Sequence, residues 1–406
     1  MNGWRASLTI RMLALTFDLD EWTSMSGTAR GSGVPSTPHR RFDPLRGRWV
    51  LVSAGRDRRP WSGESQAVSP VAVARHDPEC GLCPGNLRAA AGLDRIRNPD
   101  YAGPYVFAND FPALRPPLSD ERLEVRAESG IPPGRAGGAE ELLRAEPETG
   151  VCRVLCFGPW HDRHLAAMGD GELAAVVDLW IGQAAELGRV WRWVQIFENR
   201  GAAMGASSPH PHGQVWASAS LPDEPAAEDV RQRDYLSRHG RRLLVDYAGI
   251  ERTAGERVVA DNGEWLAVVP YWAVWPFETM LMPVRPVASL PELDGPLRES
   301  LVGMLRTLLT AYDALFGVPF PYSMGWHGAP GPDGAGPDGA AVAAPGRAGH
   351  WQLHAHFYPP LLRSPTVRKF LVGYEMLAGA QRDITPEQAA AMLRAHVPAA
   401  GPDRVR

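Results

Sequence analysis

Two short segments of this chain carry the same signature, His210-Pro211-His212-Gly213-Gln214 and His354-Ala355-His356, and each closes a stretch with the same order of elements. In the first stretch, apolar runs at residues 105–111 and 151–157 precede a helical pattern near Asp170 to Leu187. A strand over Trp193 to Glu198 and the first His-x-His segment follow. In the second, Trp265 to Pro270 and Thr279 to Pro283 precede a helical pattern from about Glu292 to Phe316, then a strand over Tyr322 to Trp326 and the second His-x-His segment. Within that later helix Leu297, Leu301, Met304, Leu305 and Leu308 recur at helical spacing. A repeated strand-helix-strand order predicts a duplicated α+β fold, with one extended, mostly antiparallel sheet and flanking helices.

Alternate side chains of an extended strand share a face. His210, His212 and Gln214 are therefore expected on one patch, with Gly213 and Val215 opposite and Gly205 and Gly213 leaving room for a ligand near the backbone. A neutral imidazole is a good nucleophile near neutral pH and a good leaving group once phosphorylated, so this patch suits reversible phosphoryl or nucleotidyl transfer. Gln214 can hold a phosphate oxygen. Only the first segment keeps the Gly-Gln pair, which places the chemistry in the first half and leaves the second pair another task. Packed or surface histidines, or metal ligation alone, are the plainer readings of such a motif.

His354 and His356, with His327 and a carboxylate, can complete a site for a first-row metal, against the alternative of imidazoles hydrogen-bonded in a core. His76-Asp77-Pro78-Glu79-Cys80-Gly81-Leu82-Cys83 supplies two thiolates on a tight turn, and tetrahedral zinc needs two more ligands; His76 and His164 are among the candidates. A redox dithiol is the competing reading, disfavoured because no thioredoxin-like βαβ pattern surrounds the pair. Cys152 and Cys156 read as core residues.

The chain has 406 residues, 44% of them apolar and 22% charged, enough for one large or two moderate domains. A net charge of -4 with scattered basic residues, almost all arginine, argues against a nucleic-acid partner. Four cysteines in so long a chain make no disulfide scaffold and point to a reduced, cytoplasmic protein. The apolar run Leu13 to Phe17 is too short for a signal peptide or a membrane span, and Asp18, Asp20 and Glu21 follow it at once. Residues 1–38 read as a flexible extension, Met25 being an alternative start, and residues 396–406 as a tail. Gly328 to Gly349, rich in Gly, Ala, Pro and Asp, reads as a solvated loop.

Beyond the histidine motif, several blocks occur in a recognisable order. They are Arg56-Asp57-Arg58-Arg59-Pro60-Trp61, Asn98-Pro99-Asp100-Tyr101, Val106-Phe107-Ala108-Asn109-Asp110-Phe111, Phe197-Glu198-Asn199-Arg200-Gly201, Gly325-Trp326-His327-Gly328 and Trp351-Gln352-Leu353-His354-Ala355-His356-Phe357-Tyr358-Pro359-Pro360. With these blocks the chain resembles the galactose-1-phosphate uridylyltransferase family of the histidine-triad superfamily, from about His39 to about Arg394. The resemblance implies two histidine-triad-like halves, 39–220 with the nucleophile and 221–395. It implies exchange of UMP between UDP-glucose and galactose 1-phosphate through a uridylyl-histidine on His212, stabilised by Gln214, in a homodimer without nucleic-acid or membrane partners.

The same resemblance implies zinc on Cys80, Cys83, His161 and His210, and iron or a second divalent metal on Glu228, His327, His354 and His356, both structural. It assigns Arg56 and Arg59 to phosphates, Asn109 and Asp110 to the nucleotide, and Asn199, Gly205, Ala206 and Ser207 to the phosphate region. Lys369, Phe370, Leu371, Val372, Tyr374, Glu375 and Gln381 are assigned to the hexose phosphate, some of these contacts coming from a partner subunit. A backbone carbonyl is expected to accept from Nδ1 of His212 and leave Nε2 free. The chain departs from the family where Ala206-Ser207-Ser208 replaces a common Cys-Ser-Asn, which retunes the rate while Ser207 remains. Two other functions fit the residues: a related nucleotidyltransferase or phosphorylase acting on ADP-sugars or dinucleoside polyphosphates, and a metal-binding scaffold. Base preference separates the first, and mutation of His212 the second.

Overall fold

A computed structural model describes residues 37–54, 56, 73–88, 95–117, 142–143, 145–331 and 349–399. In chain order the strands of the first half are β1 (His39–Asp43), β2 (Arg48–Val52), β3 (Leu87–Arg88), β4 (Ile96–Arg97), β5 (Tyr105–Ala108), β6 (Gly150–Cys156), β7 (Trp193–Arg200) and β8 (His212–Ser218). Those of the second are β9 (Val258–Asp261), β10 (Trp265–Val268), β11 (Thr279–Pro283), β12 (Tyr322–His327), β13 (His354–Tyr358) and β14 (Gln381–Arg382). The helices are α1 (Asp170–Leu187), α2 (Asp223–His239), α3 (Leu243–Ala254), α4 (Gly295–Phe316), α5 (Tyr374–Leu377) and α6 (Pro386–Arg394).

Nine strands form one sheet in the order β5-β6-β8-β7-β12-β13-β11-β10-β9, every neighbouring pair antiparallel. The first four strands run β5-β6-β8-β7, and the order β10-β11-β13-β12 is its counterpart in the second half, so the halves meet back to back where β7 pairs with β12. The duplicated α+β fold expected from the sequence is this arrangement. A separate small sheet joins β1, β2 and β14.

Strand residues alternate between the two faces. In β8, Gly213, Val215 and Ala217 are buried, whereas His212, Gln214 and Trp216 are partly exposed. The buried face packs under α1 and α4 in one continuous apolar core that includes Trp180, Leu305, Leu308, Tyr312 and Trp326. α4 starts at Gly295, three residues later than the sequence pattern suggests, because the Asp294 carboxylate caps the Leu297 amide and residues 290–292 form a short 3-10 turn. On the opposite face α3 packs with Leu45, Val50, Leu266, Met280 and Met282 in a second cluster. Between that cluster and β8 lies a groove of about 1250 Å³, lined in part by Trp49, Trp193, Trp216 and Trp275.

Candidate active site

Two prolines set the entry to β8. Pro209 and Pro211 have no amide hydrogen for a sheet ladder, so His210 stays outside the strand, which begins at His212. The expectation that His210, His212 and Gln214 share one patch is therefore corrected. His210 turns into a buried group, while His212 and Gln214 line a small cleft with Phe197, Asn199, Gly205, Ala206 and Ser207.

The tautomer of His212 follows from one contact. Its Nδ1 lies 2.7 Å from the carbonyl oxygen of His210, and a carbonyl only accepts, so Nδ1 carries the hydrogen and Nε2 of the neutral ring holds a lone pair. Burial lowers the pKa of this imidazole, against the opposing pull of that hydrogen bond, so the neutral form prevails at neutral pH. The Gln214 amide is oriented by the same logic. Its Oε1 accepts from the indole Nε1 of Trp216 at 2.9 Å and from Nδ2 of Asn109 at 3.3 Å, which leaves its Nε2 as the donor for an anion. Such a cleft offers a nucleophilic nitrogen beside a positioned amide donor, the requirement for in-line transfer of a phosphoryl group.

The glycines of this segment differ in purpose. Gly205 has a φ of +77° and open space around it, so the turn before the cleft needs its left-handed backbone. Gly213 is different: a Cβ there would lie 2.8 Å from the carbonyl oxygen of Phe197 and 2.9 Å from the Phe157 ring. Gly213 also lines the cleft with His212 and Gln214, so packing beneath the strand is a second demand on this glycine that the sequence reading did not foresee.

Cys80, Cys83, His161 and His210 bring one donor atom each within 4.8 Å of one another, and all four residues are buried. The Cys83 sulfur lies 3.5 Å from Nδ1 of both His161 and His210. Nε2 of His210 donates to the Gly158 carbonyl at 3.0 Å, so its Nδ1 lone pair faces the thiol. Burial pushes the Cys83 thiol up to about 11 and lowers His210 to about 4. Two soft thiols with two neutral imidazoles form a donor set that fits a tetrahedral metal. His76 and His164 stand outside this set.

Glu228, His327, His354 and His356 form a second group of the same compactness. One Glu228 oxygen lies 2.8 Å from Nδ1 of His327 and 3.3 Å from Nε2 of His354, and the other lies 3.5 Å from Nε2 of His356. Nδ1 of His354 donates to the Gln352 carbonyl, leaving Nε2 with its lone pair. That nitrogen and Glu228 Oε1 are buried without a hydrogen-bond partner, as ligand atoms for a cation would be. Burial opposes ionisation of Glu228, yet the imidazoles of His327 and His354 hold its carboxyl well below the usual range.

The remaining expected contacts fall into two places. Asn199 accepts from the Ser323 hydroxyl at the cleft, and Asp110 pairs with Arg88 at 2.9 Å. Lys369, Phe370, Val372, Tyr374, Glu375 and Gln381 line a different cavity, with Arg56 and Asp383, that shares no lining residue with the His212 cleft. Leu371 borders the large groove instead. Arg56 therefore sits with the lysine group, paired to Asp383 at 3.2 Å, and not beside His212. Arg59 lies outside the described residues. Sequence reasoning gave no role to Trp216, which ends the histidine segment and whose indole fixes the Gln214 amide, or to Arg46, which belongs to no motif and reaches the Glu228 group.

Comparison with known proteins settles the family. Models of the N-terminal and C-terminal domains of galactose-1-phosphate uridyl transferase match residues 30–222 and 228–401. The chain belongs to the galactose-1-phosphate uridylyltransferase family. A relative named galactose-1-phosphate uridylyltransferase from Rattus norvegicus is 48% identical over 92% of this chain and 91% of its own length. One of that name from Haemophilus influenzae is also 48% identical, over 88% and 94%. Among solved structures, a uridylyltransferase mutant aligns over 89% of this chain and 98% of that one, with a TM-score of 0.63 and 22% identity. An ADP-glucose phosphorylase from Arabidopsis thaliana aligns over 88% and 99%, with a TM-score of 0.64 and 20% identity. At such identities these two structures speak for the uridylyltransferase fold alone.

Proposed function

We infer that the chain exchanges a uridylyl group between UDP-glucose and galactose 1-phosphate by double displacement on His212. Family membership supports the substrates, and the contact that carries the mechanism is Nδ1 of His212 on the His210 carbonyl. Nε2 attacks the α-phosphorus of UDP-glucose. The N–P bond forms as the P–O bond to glucose 1-phosphate breaks, its electron pair leaving with that phosphate. An oxygen of galactose 1-phosphate then attacks the uridylyl-histidine, forming a new P–O bond and returning the electron pair to Nε2. The Gln214 amide donates to the transferred phosphoryl throughout, and Asn199 with Gly205, Ala206 and Ser207 borders its oxygens.

Residues 39–220 make the half that carries the nucleophile, and residues 221–395 its histidine-triad-like counterpart. Zinc suits Cys80, Cys83, His161 and His210, where it would fix the backbone that orients His212. Iron or another divalent metal suits Glu228, His327, His354 and His356. The working unit is a homodimer. The hexose-phosphate residues Lys369, Phe370, Val372, Tyr374, Glu375 and Gln381 line a cavity that shares no residue with the chain's own cleft, and Phe370, Val372, Tyr374, Met376 and Leu377 are exposed. Four free, buried cysteines support a reducing compartment, the cytoplasm. Among the described residues no helix is long and apolar enough to cross a membrane.

Intact mass after incubation with UDP-glucose alone tests this reading. A gain of one uridylyl group, absent in His212→Ala and weak with ADP-glucose, is the expected result. Absence of any adduct on folded, metal-replete protein would overturn transfer through His212, and a stronger adduct from ADP-glucose would replace the uridine assignment with an adenine one.

A further inference from the structure

One cation already sits at the Glu228 group. Arg46 lies in the turn between β1 and β2, where the Asp43 carboxylate accepts from the amides of Leu45 and Arg46 and holds the backbone in place. Its side chain, only 13% exposed, reaches across the fold. Nη2 is 3.4 Å from Nε2 of His356 and donates to the Tyr358 hydroxyl at 2.6 Å. Nε is 3.6 Å from Glu228 Oε1 and 3.0 Å from a carboxylate oxygen of Glu224 in the first turn of α2, yet makes a hydrogen bond to neither.

A guanidinium cannot give up its proton in a protein, so Arg46 is a permanent positive charge. It faces the Nε2 of His356 and the Oε1 of Glu228 that a metal would require. Two cations sharing one buried carboxylate repel strongly at low dielectric. We propose that Arg46 is the resident cation of this group and sets its metal affinity, a divalent ion entering only as the guanidinium gives up His356 and Glu228 while keeping its ion pair with Glu224. Glu224, 46% exposed and shared with Arg48 at 2.8 Å, is the outward partner that keeps the guanidinium once the inner contacts are released. Tyr358 is the latch that holds the inward position.

The inference rests on the reading of Glu228, His327, His354 and His356 as a metal group. The test is titration of the metal-stripped full chain with Co²⁺ under chelator competition. Thiolate charge-transfer absorption reports the Cys80 group, and ligand-field absorption without it reports the Glu228 group. Arg46→Gln should bind Co²⁺ at the thiolate-free site about tenfold more tightly or better, with the Cys80 group unchanged. Tyr358→Phe changes no charge and should also tighten that site, by about threefold. Unchanged or weaker binding in Arg46→Gln would overturn the proposal; if that variant fails to fold, the same outcome in Tyr358→Phe does so. A protein with no thiolate-free Co²⁺ site in any form would remove the ligand assignment and the role of Arg46 together.

Discussion

Nδ1 of His212 donates to the carbonyl of His210 at 2.7 Å, and the ring of His210 belongs to the group formed with Cys80, Cys83 and His161. The orientation of the His212 imidazole thus depends on a backbone atom whose own residue is grouped with three other buried donors, Cys80, Cys83 and His161. Cys83→Ser keeps the volume and removes a soft ligand. It should lower the metal bound there and slow uridylyl-adduct formation by roughly 10–100-fold, read by quenched intact mass beside metal analysis. Metal lost with the rate unchanged would show that strand pairing alone aims His212.

Trp216 is expected to act through Gln214. Its indole can only donate, so it compels the amide to present oxygen to it and nitrogen to the cleft. Trp216→Phe removes that donor and keeps an aromatic ring beside Phe197. Loss of one neutral hydrogen bond is worth about 1 kcal/mol, so adduct formation should slow about fivefold. An unaltered rate would mean that Asn109 alone orients the amide.

The pH profile has a definite sign. Burial disfavours the imidazolium of His212 and lowers its pKa from 6.5, so the neutral nucleophile persists to lower pH than a free histidine. The single-turnover rate with UDP-glucose should fall on acidification with its half-maximal point below pH 6.5, as the ring protonates. An acid-limb inflection at or above pH 6.5 would contradict a buried, neutral His212.

Periodicity made α1 and α4 legible, because their buried faces are apolar at helical spacing. It failed for α2, whose buried residues include Glu228, Asp229 and Gln232: a helix that turns polar side chains inward carries no apolar stripe to read. The histidine motif led to the cleft residues His212 and Gln214 but misplaced His210, since the prolines beside it break the strand alternation that the reading assumed. Arg46 was hidden for another reason. It meets His356 across 310 residues of sequence, and a lone arginine in a turn gives no local sign of such a partner.

Gly213 tests whether the motif glycine serves packing or ligand access. An added Cβ would meet Phe197 backbone oxygen at 2.8 Å and the Phe157 ring at 2.9 Å, and the oxygen belongs to the neighbouring strand, so it cannot yield like a side chain. Gly213→Ala should therefore cost about 1–3 kcal/mol of stability, as overpacked core positions do, and displace the start of β8 that carries His212. A lowered Tm together with slower adduct formation is the expected pair of results, measured by calorimetry and intact mass on the same preparation. The position of the strain separates the two readings. If the glycine only admitted ligand, the variant would keep its Tm and lose affinity for UDP-glucose alone.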